Sequence, residues 1–162
     1  MNNLKTDDSN VLVIAIGNCG RNDDGLGWKF ADYLRERGTG NMDIEYRYQL
    51  QVEDALLVSG YDLVFFVDAS HANLEQGFEI KSCNAAGHYF FSSHAQTPET
   101  ILYLSADLYN KIPIAYSIGI AGFNWGMGTS ISYRASNNLE AAFRYFISGF
   151  LPSLQPSFIA SG

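Results

Sequence analysis

Cysteines and basic residues are both scarce in this sequence. Only two of its 162 residues are cysteines, Cys19 and Cys83, and ten lysines and arginines stand against 17 aspartates and glutamates, which gives a formal net charge of −7. A domain of this length needs no disulfide bonds for stability, so the cysteine content favours a reducing compartment. The negative charge opposes general attraction to nucleic acids and to anionic membrane surfaces. We therefore expect a cytoplasmic protein that acts on a small molecule or on another protein.

Long apolar runs are also absent, since no stretch approaches the ~20 apolar residues of a membrane-spanning helix. Residues 1–10 are polar and contain Asp7 and Asp8, whereas a secretory signal is basic and then apolar. Apolar residues nevertheless make up 47% of the chain, which is enough for one continuous core. We expect no insertion into a membrane and a single domain over residues 1–162, with residues 1–10 flexible.

Short apolar segments alternate with amphipathic ones along the chain. The runs Val11–Ile16 (VLVIAI) and 63–67 (LVFFV) have the composition of strands that a parallel sheet buries on both faces. Further strands are predicted at 44–48, 78–82 and 112–121, and helices at 26–37, 52–59, 97–109 and 138–150. This alternation favours a three-layer α/β/α sandwich with mostly parallel strands, whose sites lie at the carboxyl ends of the strands.

The polar loop 17–27 (GNCGRNDDGLG) joins the first predicted strand to the first predicted helix. Glycine-rich loops in this position often bind phosphate, but Asp23 and Asp24 would repel it, and the spacings GxGxxG and GxxxxGK[ST] are absent. We therefore expect no nucleotide. Two adjacent carboxylates suit a cation better. The alternative, strongest for Asp23, is that one of them only caps the following helix.

A third carboxylate, Asp68, follows the apolar run 63–67. A charge there is costly to bury unless it is paired, hydrogen-bonded or bound to metal, although a turn-forming aspartate remains an alternative. The loop before the third helix contains His94, and His71 and His88 are rival imidazoles. Asp24, Asp68 and His94 together suit a divalent ion with an open coordination position.

Cysteine and serine nucleophiles are the chemical alternatives to a metal site. Cys19 in the first loop could act as a nucleophile with a histidine as its base, whereas Cys83 is better explained as a loop or core thiol. A Gly-x-Ser-x-Gly nucleophile motif is absent. Trp125 lies in the glycine-rich loop 122–129, where we expect it to pack in the core rather than to line a peptide groove.

The sequence resembles the nickel-iron hydrogenase maturation proteases, which remove a C-terminal extension from the hydrogenase large subunit. The shared features occur in order through most of the chain. They are Gly17-Asn18, Arg21, Asp23-Asp24-Gly25 and Gly27 after the first strand, 51–55 (QVEDA) at the second helix, 66–69 (FVDA) and 93–99 (SHAQTPE).

This resemblance implies a twisted, mostly parallel five-stranded sheet of the phosphorylase/hydrolase-like type. It also implies that Asp24, Asp68 and His94 bind a divalent metal, most simply the nickel that the large-subunit precursor supplies. Asp24 or Asp23 would activate water in an aspartic-type endopeptidase, and Asn18 and Arg21 would bind substrate. The alternatives are a noncatalytic nickel-sensing chaperone of hydrogenase assembly and a different small metal-dependent peptidase of the same fold.

Overall fold

The structure is a computed structural model that describes residues 10–89 and 95–154. The flexible start predicted for residues 1–10, apart from Asn10, and the predicted metal ligand His94 lie outside the described residues. The elements, in chain order, are β1 (Val11–Ile16), a 3₁₀ turn (Asn22–Gly25), α1 (Leu26–Arg37), β2 (Met42–Arg47), α2 (Asp54–Ser59), β3 (Leu63–Ser70), β4 (Phe78–Ser82), α3 (Pro98–Tyr109), β5 (Ile114–Ala121), α4 (Tyr133–Tyr145), a π-helical turn (Phe146–Phe150) and α5 (Leu151–Ser153).

The strands form one five-stranded sheet in the order β2-β1-β3-β5-β4. Four strands are parallel, and β4 at the edge runs antiparallel to β5. The predicted α/β class and mostly parallel sheet are therefore confirmed. Among the described residues, no helix is both long and apolar enough to cross a membrane.

Alternate residues of the central strands face opposite helical layers, as the period of two along a strand requires. One core lies between the sheet and helices α1 and α4, and its buried members include Val13, Phe65, Phe30 and Leu139. The other lies between the sheet and helices α2 and α3, and its buried members include Ile14, Phe66, Val58 and Ile101. The fully apolar composition of β1 and β3 follows from this burial on both faces.

Two elements extend beyond their predicted bounds for identifiable reasons. Strand β3 continues to Ser70, because residues 68–70 pair in register with residues 119–121 of β5. Helix α4 begins at Tyr133 rather than at residue 138, because the Ser132 side chain accepts a hydrogen bond from the Ala135 amide and caps the helix. Both causes involve contacts that the local apolar pattern does not record, and both predicted bounds rest on that pattern.

Helix α1 begins directly against the carboxyl ends of the two central strands. A Cβ at Gly27 would lie 2.5 Å from the Ile16 carbonyl oxygen and 2.6 Å from that of Val67. Only glycine allows this approach, because every other residue would place a side-chain carbon inside the contact distance. Gly27 thus places the loop before α1 over the edge of the sheet.

We expect Gly27→Ala to lower the free energy of unfolding by about 1–3 kcal/mol, since the added methyl group would overpack a rigid backbone contact. Urea unfolding followed by circular dichroism measures this change. Gly87→Ala is the matched control, because a Cβ there meets no atom within 4 Å. Equal stability of the two variants would contradict this explanation of Gly27.

Candidate active site

A cavity of about 580 Å³ opens at the carboxyl ends of the parallel strands. The loop after β1, the end of β3, the segment after β2 and the start of α3 form its walls. Its described lining includes four carboxylates and one imidazole, which are those of Asp24, Asp68, Glu79, Glu99 and His71. The sequence therefore predicted the edge of the sheet at which this cavity lies.

Asp68 is a half-buried carboxylate inside strand β3, which continues two residues past the strand end that the sequence predicted at Asp68. Its register partner on β5 is Gly119, so no side chain from that position lies beside it. Burial, with a smaller contribution from the charge of Asp24, raises the pKa of Asp68 to about 7, against one hydrogen bond of 2.8 Å from the Ala69 amide. Asp68 is thus a carboxylate whose charge lacks full compensation.

Asp24 lines the same cavity from the first loop. Burial raises the pKa of its carboxyl group, whereas the charge of Arg21, the Asn18 backbone amide and the charge of His71 lower it, and the net shift is upward. The effect of Asp24 on the pKa of Asp68 shows that the two carboxylates are electrostatic neighbours. The structure therefore brings together two of the three predicted metal ligands.

Asp23 has a different environment, although it adjoins Asp24 in sequence. Its side chain is fully buried and is not among the residues that line the cavity. Its carboxylate accepts hydrogen bonds from the amides of Phe123, Asn124 and Ser132 and from the Ser132 hydroxyl, at 2.7 to 2.9 Å. Burial raises the pKa of Asp23, but these hydrogen bonds outweigh it and hold the pKa below its usual value.

These contacts show what Asp23 does in the fold. Neither the 3₁₀ turn nor α1 has a side-chain cap, so the helix-capping alternative for Asp23 and Asp24 is wrong. Asp23 instead fastens the loop 122–132, which follows β5, to the loop 17–25. A fully buried carboxylate with four donors is a structural group, whereas Asp24 is available to a substrate.

Asn22, which no sequence pattern singled out, joins the same two loops. Its side-chain amide donates to the carbonyls of Gly126 and Met127 and accepts from the Ser130 amide. Its backbone has a φ of 52°, in the left-handed region that asparagine tolerates better than most residues. The position of Asn22 within the polar loop 17–27 was the only sequence signal for this role.

Trp125 is half-buried at the site, so the predicted packing in the core is wrong. The His71 ring lies flat on the Trp125 ring, with centroids 3.7 Å apart and an interplanar angle of 20°. The Arg21 guanidinium donates to the Trp125 carbonyl oxygen at 3.1 Å. These three residues and Asp24 enclose a second cavity of about 180 Å³.

The remaining candidates are not among the described residues that line the large cavity. The Asn18 side-chain oxygen accepts the Gly20 amide at 2.8 Å and so supports the first loop. Cys19 is exposed and outside the lining of the large cavity, which gives the nucleophile alternative no geometric support. Cys83 is buried in the core, as predicted, and His88 is not among the described lining residues.

The donor set fits a cation only in part. Within residues 10–89 and 95–154, no group of three His, Cys, Asp or Glu side chains could hold a metal ion. Asp24 and Asp68 form a pair whose charges are only partly compensated, and a divalent ion would stabilise it. Because two carboxylates are a weak site, further ligands would have to come from His94 or from a bound substrate.

Comparisons with solved structures define the class of fold. The chain is similar to the [NiFe] hydrogenase maturation protease HycI from Thermococcus kodakarensis KOD1, with a TM-score of 0.65 and 21% identity over 85% of this chain and 90% of that one. It is also similar to the hydrogenase maturating endopeptidase HybD from E. coli, with a TM-score of 0.68 and 14% identity over 89% and 93% of the two chains.

A third similar structure is a hydrogenase 2 maturation peptidase from a Thaumarchaeota archaeon, with a TM-score of 0.65 and 18% identity over 88% of this chain and 98% of that one. No family model and no curated protein matches the sequence. The chain therefore has the fold of the hydrogenase maturation endopeptidases, as the sequence resemblance implied. At these identities the likeness concerns the fold, and activity has to be argued from the site.

The raised pKa of Asp68 predicts a pH-dependent stability. The folded state retains a proton that the unfolded state releases as the pH rises from about 4 to about 7, so stability should fall across this interval. Asp68→Asn removes this loss, and its free energy of unfolding relative to wild type should rise by a few kcal/mol between about pH 4 and pH 8. Urea unfolding in EDTA at both pH values measures the difference, and a pH-independent difference would refute the raised pKa.

Proposed function

We propose that this protein is an endopeptidase that removes the C-terminal extension of a [NiFe] hydrogenase large-subunit precursor after nickel insertion. The observation that carries this proposal is the pair Asp24 and Asp68 at the carboxyl edge of the sheet, in a fold shared with hydrogenase maturation endopeptidases. The scarcity of cysteine supports a reaction in a reducing compartment such as the cytoplasm.

Of Asp23 and Asp24, Asp24 is the carboxylate suited to activate water. Its upward pKa shift brings it closer to the operating pH, where a general base is most effective, and its side chain faces the large cavity. Asp23 is a poorer base, because its pKa is lowered and four donors already occupy its oxygens. Of the two carboxylates that the sequence proposed, Asp24 is therefore our choice.

The peptide bond is broken by addition of water. Asp24 accepts a proton from a water molecule while the oxygen of that water attacks the scissile carbonyl carbon. The electron pair of the C=O double bond moves to the carbonyl oxygen. When this tetrahedral intermediate collapses, the C–N bond breaks and the proton passes from Asp24 to the leaving amine. These steps need one carboxylate beside the reacting carbon and a donor for the developing oxyanion.

Nickel belongs to the substrate in this proposal. A precursor that already holds nickel presents a cation to Asp24 and Asp68, and we assign His94 as the third ligand from this chain. That cation stabilises a carboxylate pair whose charges are only partly compensated, so a loaded precursor binds more tightly than an empty one. The enzyme would thereby cut only after the metal centre is complete.

The test is to incubate the purified protein with a nickel-loaded precursor and with a nickel-free precursor, and to follow the extension by intact mass. We expect one cut, in the loaded precursor only. Asp24→Asn should lower the rate by about 10²–10⁴, the usual contribution of a general base. Asp107→Asn, the same substitution on an exposed part of α3, should leave the rate unchanged.

Other outcomes separate the alternatives. A loaded precursor that binds but stays whole would support the nickel-sensing chaperone. Cutting by Asp24→Asn at the wild-type rate would remove Asp24 from the mechanism. A precursor that is neither bound nor cut would contradict both functions in hydrogenase assembly.

A further inference from the structure

Two cavities of different charge meet at Asp24 and His71, which line both. The described lining of the large cavity contains four carboxylates and no lysine or arginine. The small cavity contains a guanidinium group, and its described lining is Arg21, Asp24, His71 and Trp125. Arg21 is therefore the one lysine or arginine among the described residues that line either cavity.

Arg21 is held in place by the loop that follows β5. Its Nη2 group donates to the Trp125 carbonyl oxygen at 3.1 Å, and Asn22 and Asp23, the next two residues, hydrogen-bond to the same loop. Arg21 is exposed, and because a guanidinium has five N–H donors, this one bond orients the group and leaves other donors for a ligand. The Trp125 ring is itself covered by the His71 ring.

Arg21 and Asp24 are neighbours without being partners. The charge of Arg21 acts on the carboxyl group of Asp24, yet no ion pair joins the two in the part of the chain that the structure describes. A carboxylate and a guanidinium at one cavity but out of direct contact leave room for a group between them. In peptide hydrolysis the base and the oxyanion donor must both reach the reacting carbonyl group.

We propose that Arg21 is a catalytic residue that donates hydrogen bonds to the carbonyl oxygen of the scissile bond as that oxygen becomes an oxyanion. This inference rests on the proposed function and goes beyond substrate binding, since it assigns Arg21 to the transition state. Water attacks the carbonyl carbon from the Asp24 side, and the electron pair of the C=O bond moves to the oxygen that faces Arg21. That electron pair re-forms the C=O bond when the C–N bond breaks.

The kinetic signature of this role differs from that of a binding residue. An interaction made only in the transition state changes kcat, whereas one made equally with the bound substrate changes KM. With the nickel-loaded precursor as substrate, we expect Arg21→Ala to lower kcat by about 10²–10³, the usual cost of losing an oxyanion donor. KM should stay within about threefold of wild type.

Chemical rescue provides the second readout. Guanidinium at millimolar concentration, below the molar range that unfolds proteins, should restore part of the kcat of Arg21→Ala and none of that of Asp24→Asn. Arg21→Lys should retain more kcat than Arg21→Ala, because it keeps a cation but loses the planar set of donors. Arg37→Ala, at an exposed position near the end of α1, is the matched control and should match wild type.

Urea unfolding of Arg21→Ala and Arg21→Lys in parallel identifies any loss of folded protein, and the kinetic constants are taken per folded molecule. A rise in KM with unchanged kcat, or a kcat that guanidinium does not restore in a folded Arg21→Ala, would overturn the catalytic role and leave the proposed function standing. Failure of the wild type to cut the loaded precursor would instead refute the proposed function, and this inference with it.

Discussion

The buried carboxylate of Asp23 is the constraint on which the geometry of the site depends. A charge without solvent must be compensated by donors, and Asp23 receives four, all from residues 123–132 of the loop after β5. The loop is thereby held against residues 17–25, so that Trp125 reaches His71 and its carbonyl reaches Arg21. One hydroxyl group links this network to the fold, because Ser132 donates to Asp23 and also caps α4.

The two adjacent aspartates have different roles: Asp23 stabilises the fold, whereas Asp24 is the proposed general base. The 3₁₀ turn directs Asp23 toward the loop after β5 and Asp24 toward the large cavity, and this turn begins at Asn22, whose backbone is left-handed. Gly27 then brings α1 against the ends of β1 and β3, which sets Asp24 near Asp68. The raised pKa of Asp68 and Asp24 and the lowered pKa of Asp23 express the same division in electrostatic terms.

Sequence reasoning succeeded where local composition determines structure. Strands β1 and β4 and helix α3 lie as predicted, because apolar runs, alternation and the cap residues Thr97 and Pro98 are local signals. The placement of Asp24 and Asp68 at one cavity followed from the rule that parallel strands end together. The separate roles of Asp23 and Asp24, the function of Asn22 and the contact of His71 with Trp125 depend on pairing between distant loops, which no local pattern records.

The most direct test of this division is native-state hydrogen exchange at the amides of Phe123, Asn124 and Ser132, compared between Asp23→Asn and Asp24→Asn. Those amides donate to Asp23 in the wild type, and exchange reports local opening of such bonds. We expect Asp23→Asn to lose protection at these three positions while strands β1 and β3 stay protected, and Asp24→Asn to keep protection throughout. Unchanged protection in Asp23→Asn, or an equal loss in Asp24→Asn, would contradict the separate roles of Asp23 and Asp24.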